Sequence, residues 1–159
     1  GYLTVQESAA KTLTFAGLSV FSNLMGQKAM ILHRVSYDFT SAALAYLVAM
    51  GDRMVFGLAG NDSMDSVSLD DAEVYDYNLT RYHGIDTVAS FDIISLPKVV
   101  DYTGLPGGGK LLPADRVYAY LQGNGLGGPL EMFCRFDFSI IDLSAADYLE
   151  LAQSLRVLK

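Results

Sequence analysis

The stretch 130–140 constrains this chain more than any other. Leu130, Met132, Cys134, Phe136, Phe138 and Ile140 occupy every second position; Glu131, Arg135, Asp137 and Ser139 stand between them, with Phe133 and Ile141 as exceptions. Apolar side chains spaced by two lie on one side of a pleated backbone. The run therefore predicts a strand of about eleven residues, roughly 36 Å long, with one face on a core. Ser144 follows, and then Tyr148, Leu151, Ala152 and Leu155 recur at helical spacing. That pattern predicts a short, capped helix with one apolar face. A long closing strand with one helix behind it limits the architecture, but it carries no chemistry.

Upstream, the segment 28–39 reads as a second strong strand. Ala29, Ile31, His33, Val35, Tyr37 and Phe39 are expected on one face, and Lys28, Arg34, Ser36 and Asp38 on the other. Further strands are expected at 11–15, ended by Gly17, and at 52–59, 73–82, 86–96 and 115–122. The segment 41–50 is ambiguous between a strand and a helical turn. Pro97 and the residues around 101–104 read as a break, and 105–110, with Pro106 and three successive glycines, as a flexible surface loop. Turn signals every 8–15 residues, with no repeat and no linker, predict a single domain over 1–159. Its expected class is all-β: an antiparallel sandwich of about eight strands with a short C-terminal helix. Long strands joined by long irregular loops favour a jelly roll over a tight meander. Too few helices are predicted for a parallel βαβ arrangement.

Of the 159 residues, 51% are hydrophobic and 18% charged. The charged share lies below the usual ~25%. Either the β core is large or neighbouring molecules cover part of the surface, and both are expected here. Ten Tyr and eight Phe with no Trp suit strands and protein interfaces. The net charge is −7, from 18 acidic and 11 basic residues, with no run of Lys or Arg. Gripping a phosphate backbone needs clustered cations, so direct nucleic-acid binding is not expected. No apolar run reaches the ~18 residues of a membrane-spanning helix. No signal peptide is legible, and a start at Gly1 rather than Met leaves room for a missing leader. Cys134, the single cysteine, reads as a small buried hydrophobe.

No motif with catalytic spacing stands out. His33 reads as a hydrogen-bonded core or interface histidine and His83, before Gly84, as a loop residue; no catalytic role, cofactor or metal site is expected of either. Asp62, Asp65, Asp70, Asp71 and Glu73 form an acidic loop. A solvated loop is the expected reading, and calcium held between subunits the alternative. The run from Gly104 to Lys110 superficially looks like a phosphate loop, but Leu111, Leu112 and Pro113 follow the lysine where a Ser or Thr and a helix are required. Asn78-Leu79-Thr80 fits a glycosylation acceptor, relevant only to a secreted eukaryotic protein. No carboxylate pair is singled out for glycoside hydrolysis, and no nucleophile elbow is recognisable.

Three pieces of the chain carry a family resemblance together. They are Met30-Ile31-Leu32-His33-Arg34-Val35; Gly107-Gly108-Gly109-Lys110-Leu111-Leu112 followed by Val117-Tyr118-Ala119-Tyr120-Leu121-Gln122-Gly123; and Asp147-Tyr148-Leu149-Glu150-Leu151. Over the later two-thirds of its length the chain resembles small single jelly-roll capsid proteins of tailless icosahedral or related viruses from environmental samples. The resemblance implies a shell-forming subunit of a virion. Such a subunit associates laterally with copies of itself, and with other capsid proteins where the shell has several. Proteins that package naked genomes often carry a basic arm, and this chain departs from that pattern. Genome contact would then fall to another protein, to a missing arm or to none, or an internal virion membrane would lie between shell and genome. The candidate assembly residues are Arg116, Tyr118 and Tyr120, whose strand is apolar on both faces; the alternative is that these tyrosines fill the core. The rival function is a trimeric fibre-head or lectin-like module that binds carbohydrate.

Overall fold

The computed structural model describes residues 1–20, 28–40, 52–81, 97–112, 116–147 and 149–150. Its strands are β1 (Tyr2–Gln6), β2 (Thr14–Ser19), β3 (Lys28–Phe39), β4 (Arg53–Ala59), β5 (Val74–Arg81), β6 (Lys98–Asp101), β7 (Lys110–Leu112), β8 (Arg116–Asn124) and β9 (Glu131–Asp142). Residues 145–147 and 149–150 are helical. The Ser144 hydroxyl accepts the Asp147 amide at 3.2 Å and donates to its carboxylate at 2.6 Å, so the predicted cap is in place. The face assigned to Tyr148, Leu151, Ala152 and Leu155 lies outside the described residues. So do the expected strand at 86–96, the ambiguous segment 41–50 and His83.

Every strand pair among the described residues is antiparallel. β4 pairs with β5, β3 with both β6 and β7, β2 with β8, and β1 with β9. These pairs nest inside one another, as in one long hairpin whose tip lies between β4 and β5. Rolling that hairpin gives a first sheet, β1-β9-β3-β6 with β7 also on β3, and a second sheet, β2-β8-β4-β5. Two packed sheets wound this way are a jelly roll. Neither sheet can bury its apolar face alone, and stacking them solves both problems. Edge-to-face rings span the gap: Phe56 of β4 meets Tyr37 of β3 at 5.1 Å and Phe39 at 4.9 Å between centroids.

β9 alternates as its sequence predicts. Met132, Cys134 and Phe136 are fully buried and Arg135 and Asp137 are exposed. Burial fades towards the end, where Phe138 is half-buried and Ile140 is 44% exposed. Periodicity fixes which face a residue takes, but not how far the opposing sheet reaches.

β3 corrects the single-face reading of 28–39. Its pairing with β9 runs from Leu32↔Phe138 directly to Arg34↔Asp137, leaving His33 as an unpaired extra residue. Such a β-bulge shifts the phase by one. Met30 and Leu32 face the core before it, and Val35, Tyr37 and Phe39 after it; Ile31 and His33 do not. A second correction concerns Gly17, which lies inside β2 and does not end it. A Cβ there would stand 2.7 Å from Cε1 of Tyr118, so the missing side chain makes room for a neighbouring ring. The strand begins at Thr14, three residues later than expected, because Lys11 turns the chain at φ 68°.

The expected surface loop at 105–110 is exposed over 105–107 and carries local hydrogen bonds, and it ends one residue early. The Leu105 amide donates to the Tyr102 carbonyl at 3.0 Å and the Gly108 amide to the Leu105 carbonyl at 2.9 Å. Gly107 and Gly108 take φ values of 84° and 76°, which glycine adopts without steric cost. Lys110 then opens β7 on the edge of β3.

Candidate functional site

β8 turns Val117, Ala119 and Leu121 into the core between the sheets. Alternation therefore sends Arg116, Tyr118 and Tyr120 together to the outer face of the second sheet. Neither tyrosine belongs to the cluster between the sheets, although Tyr120 is fully buried as the core alternative expects. On the outer face Tyr118 lies opposite the small residues Gly17 and Ala59, and Tyr120 between Gly57 and the Phe15 ring. The Tyr120 ring sits 6.2 Å from that of Phe15, and its hydroxyl donates to the Asp76 carbonyl at 2.8 Å. Tyr120 is 0% exposed, and burial raises its phenol above the ordinary tyrosine range, with Asp76 adding to the effect. Tyr118 is half-buried and Arg116 exposed. The Arg116 guanidinium donates to the Tyr118 hydroxyl at 3.5 Å and to Ser19 Oγ at 3.4 Å. Of the three predicted residues, Arg116 is exposed and Tyr118 half-buried, while Tyr120 is fully buried.

A second constellation had no signal in the sequence. Asp76, on the same side of β5 as its partner Leu58, turns its carboxylate between the sheets. Oδ2 accepts the Tyr37 hydroxyl at 2.5 Å and the Asn78 amide at 2.7 Å, and Oδ1 accepts the Tyr102 hydroxyl at 2.8 Å. Lys110 Nζ donates to the Tyr75 carbonyl and lies 5.9 Å from the centre of the Tyr102 ring. Side chains from β3, β7 and the residue after β6 thus converge on β5, bridging the two sheets along one side of the sandwich.

Electrostatics follow from that placement. Burial, reinforced by Asp76, holds the Tyr37 and Tyr102 phenols protonated well above the ordinary range. Burial lowers the Lys110 ammonium, while Asp76 acts in the opposite direction. A carboxylate already accepting three donors is a clamp rather than a free base. Among the described residues no buried side-chain N or O atom lacks a hydrogen-bond partner. The amide of Asn78, in the triplet that fits a glycosylation acceptor, is half-buried and committed to Asp76.

The acidic loop is organised by local bonds. Asn61 Nδ2 donates to Glu73 at 2.9 Å, and the Ser68 hydroxyl donates to Asp70. Among the described residues no group of three or more His, Cys, Asp or Glu is placed to hold a metal ion, and no helix is long and apolar enough to cross a membrane. Glu7 is another carboxylate that the sequence did not mark. It is 3% exposed and accepts the amides of Gly123 at 2.8 Å and Leu130 at 2.7 Å, tying the β8–β9 connection to the chain just after β1. No protein-family model, curated protein or solved structure matches the chain.

Proposed function

We propose that this protein is a shell-forming subunit of a virus particle, assembling through lateral contacts with copies of itself and, where present, with other capsid proteins. The nested strand order carries this reading, because jelly rolls of this winding are the recurrent architecture of viral shells and of lectins. A fold hosts many functions, so the surface must separate those two. Large apolar side chains stand exposed on both outer faces: Tyr2, Val99 and Leu111 on the first sheet and Leu79 on the second. A subunit with neighbours on more than one side needs this distribution, whereas a lectin needs one open cleft. Arg116 and Tyr118 are the proposed contacts on the second sheet, supported by Tyr120. With a net charge of −7 the subunit does not grip the genome directly, and any membrane it meets is an internal one of the virion.

Particle mass in solution tests the reading, measured by sedimentation or light scattering with negative-stain microscopy. Closed particles of megadalton size, lost in Arg116→Glu with Tyr118→Ala, are expected. A stable monomer or trimer across a range of salt and calcium would overturn it, and glycan binding by that species would favour the lectin-like alternative.

A further inference from the structure

We propose that Ser139 is an activated nucleophile and that, with His33 and the Gly108 carbonyl, it forms an acyl-transfer site for small apolar esters on the outer face of the first sheet. The bulge creates the site. His33 has no partner on β9, and an extra residue in a strand re-aims its side chain, a device common beside active sites. The ring lies between two groups. Nε2 is 2.7 Å from Ser139 Oγ, and Nδ1 is 2.8 Å from the Gly108 carbonyl oxygen.

The chemistry of these partners fixes the proton. A carbonyl oxygen only accepts, so Nδ1 carries the hydrogen. In the neutral ring Nε2 is then a lone pair facing the serine hydroxyl, which must donate to it. A nucleophile, a base within reach and a third group orienting the base are the parts that nucleophilic catalysis requires. Here the orienting group is a backbone carbonyl, which holds the tautomer without adding a negative charge.

The glycine tract now has a function that does not involve phosphate. Gly107 and Gly108 take positive φ to turn the loop back onto β3. A Cβ on Gly109 would stand 2.5 Å from Cγ2 of Ile31, 2.7 Å from the Leu32 carbonyl oxygen and 3.1 Å from His33 Nδ1. Only glycine lets this backbone approach the bulge so closely. The substrate class follows from the row of residues beside the nucleophile. Ser139 is exposed; Ile31 lies opposite it and Leu111 opposite Ile31, giving an apolar strip for an acyl or aryl group.

In the first half-reaction Ser139 Oγ bonds to the ester carbonyl carbon as its proton passes to His33 Nε2. The tetrahedral adduct then breaks its bond to the leaving oxygen, which takes the proton from Nε2, and Ser139 is left acylated. Water repeats the sequence with the same base, releasing the carboxylic acid and restoring the hydroxyl.

The test uses the full chain and p-nitrophenyl acetate near neutral pH, with nitrophenolate release followed by absorbance and the acetylated residue located by peptide mass mapping. The expected result is release above buffer with acetyl on Ser139, abolished in Ser139→Ala. His33→Gln and Gly109→Ala slow it by ~10²-fold or more. Gly104→Ala, with nothing within 4 Å of the added Cβ, leaves it unchanged. Equal release by the wild-type protein and a folded Ser139→Ala variant, or acetyl only on other side chains, overturns the proposal. Neither result depends on whether the subunit forms shells.

Discussion

Gly57→Ala should be among the most damaging single substitutions in this protein. Gly57 lies in β4 beneath the Tyr120 side chain. An added Cβ would stand 1.9 Å from the Asp76 carbonyl oxygen, 2.7 Å from that carbonyl carbon and 2.7 Å from the Tyr120 hydroxyl. The nearest obstacle is backbone of the adjacent strand, which cannot turn aside as a flexible side chain can. Overpacking of this kind costs about 1–3 kcal/mol. The displaced Tyr120–Asp76 hydrogen bond, 2.8 Å long, adds about 1 kcal/mol. The sum is a loss of about 2–4 kcal/mol, roughly 4–16 °C in Tm for a domain of this size. Urea unfolding followed by circular dichroism measures it as a fall in midpoint at constant slope. Tyr120→Phe removes the hydroxyl alone and should cost about 1 kcal/mol. Combined with Gly57→Ala it should rescue little, because the closer clash with Asp76 remains. Gly104→Ala is the control, expected within about 0.5 kcal/mol of wild type. A Gly57→Ala protein as stable as that control, or one fully rescued by Tyr120→Phe, would refute the packing derived for this face.

The buried polar groups support further predictions. Glu7→Gln can accept only one of the two amides now bound and should cost about 1–3 kcal/mol in urea unfolding; an unchanged midpoint would contradict the buried geometry. Asp76→Ala strips the acceptor from Tyr37 and Tyr102 and should cost about 2–4 kcal/mol, with a changed near-ultraviolet tyrosine spectrum that a merely local loss would not give. The Cys134 thiol is pushed up to about 12, by burial first and Asp76 second. Stability from keeping it protonated is present below the unfolded value near ~8.5 and lost as pH rises through about 12. Alkylation at about pH 8 should therefore require unfolding, and rapid labelling of the native protein would count against it. The phenols of Tyr37, Tyr102 and Tyr120 are all raised, so their contribution holds below ~10 and fails above it. In an alkaline titration they should ionise only as the circular dichroism signal is lost, and one reversible phase with the fold retained would sink that expectation.

How much of this was legible in the sequence depends on what each element needed. β9 is long and alternates, and local pattern alone assigned its faces over its first half; β8 was placed correctly, but with apolar residues on both sides its pattern left the faces open. β3 was read in the right place but in one phase, because nothing in Leu32-His33-Arg34 marks an insertion relative to a partner about a hundred residues away. β1, β6 and β7 span five, four and three residues, too few for periodicity to rise above its surroundings, and pairing with longer neighbours makes them strands. Tyr118 and Tyr120 share one face of β8, but the depth of Tyr120 depends on Gly57 and Phe15, which belong to other strands. Asp76 stayed hidden because an aspartate in an otherwise ordinary strand shows its role only when Tyr37 and Tyr102 arrive from the opposite sheet.

The nested pairing also orders events in time. The β4–β5 pair closes over a short stretch of chain, with Ala59 facing Val74, whereas the β1–β9 pair joins Tyr2 to Arg135. Closing a loop costs entropy that grows with its length, and folds dominated by distant pairings form on the millisecond-to-second scale. The tip of the rolled hairpin is thus the natural nucleus, and each outer pair docks on the one inside it. During synthesis β1 emerges well before β9 and waits for it with that edge unpaired. Among the described strands the longest-lived hazard for the nascent chain is therefore β1, with Leu3 and Val5 uncovered until β9 leaves the ribosome.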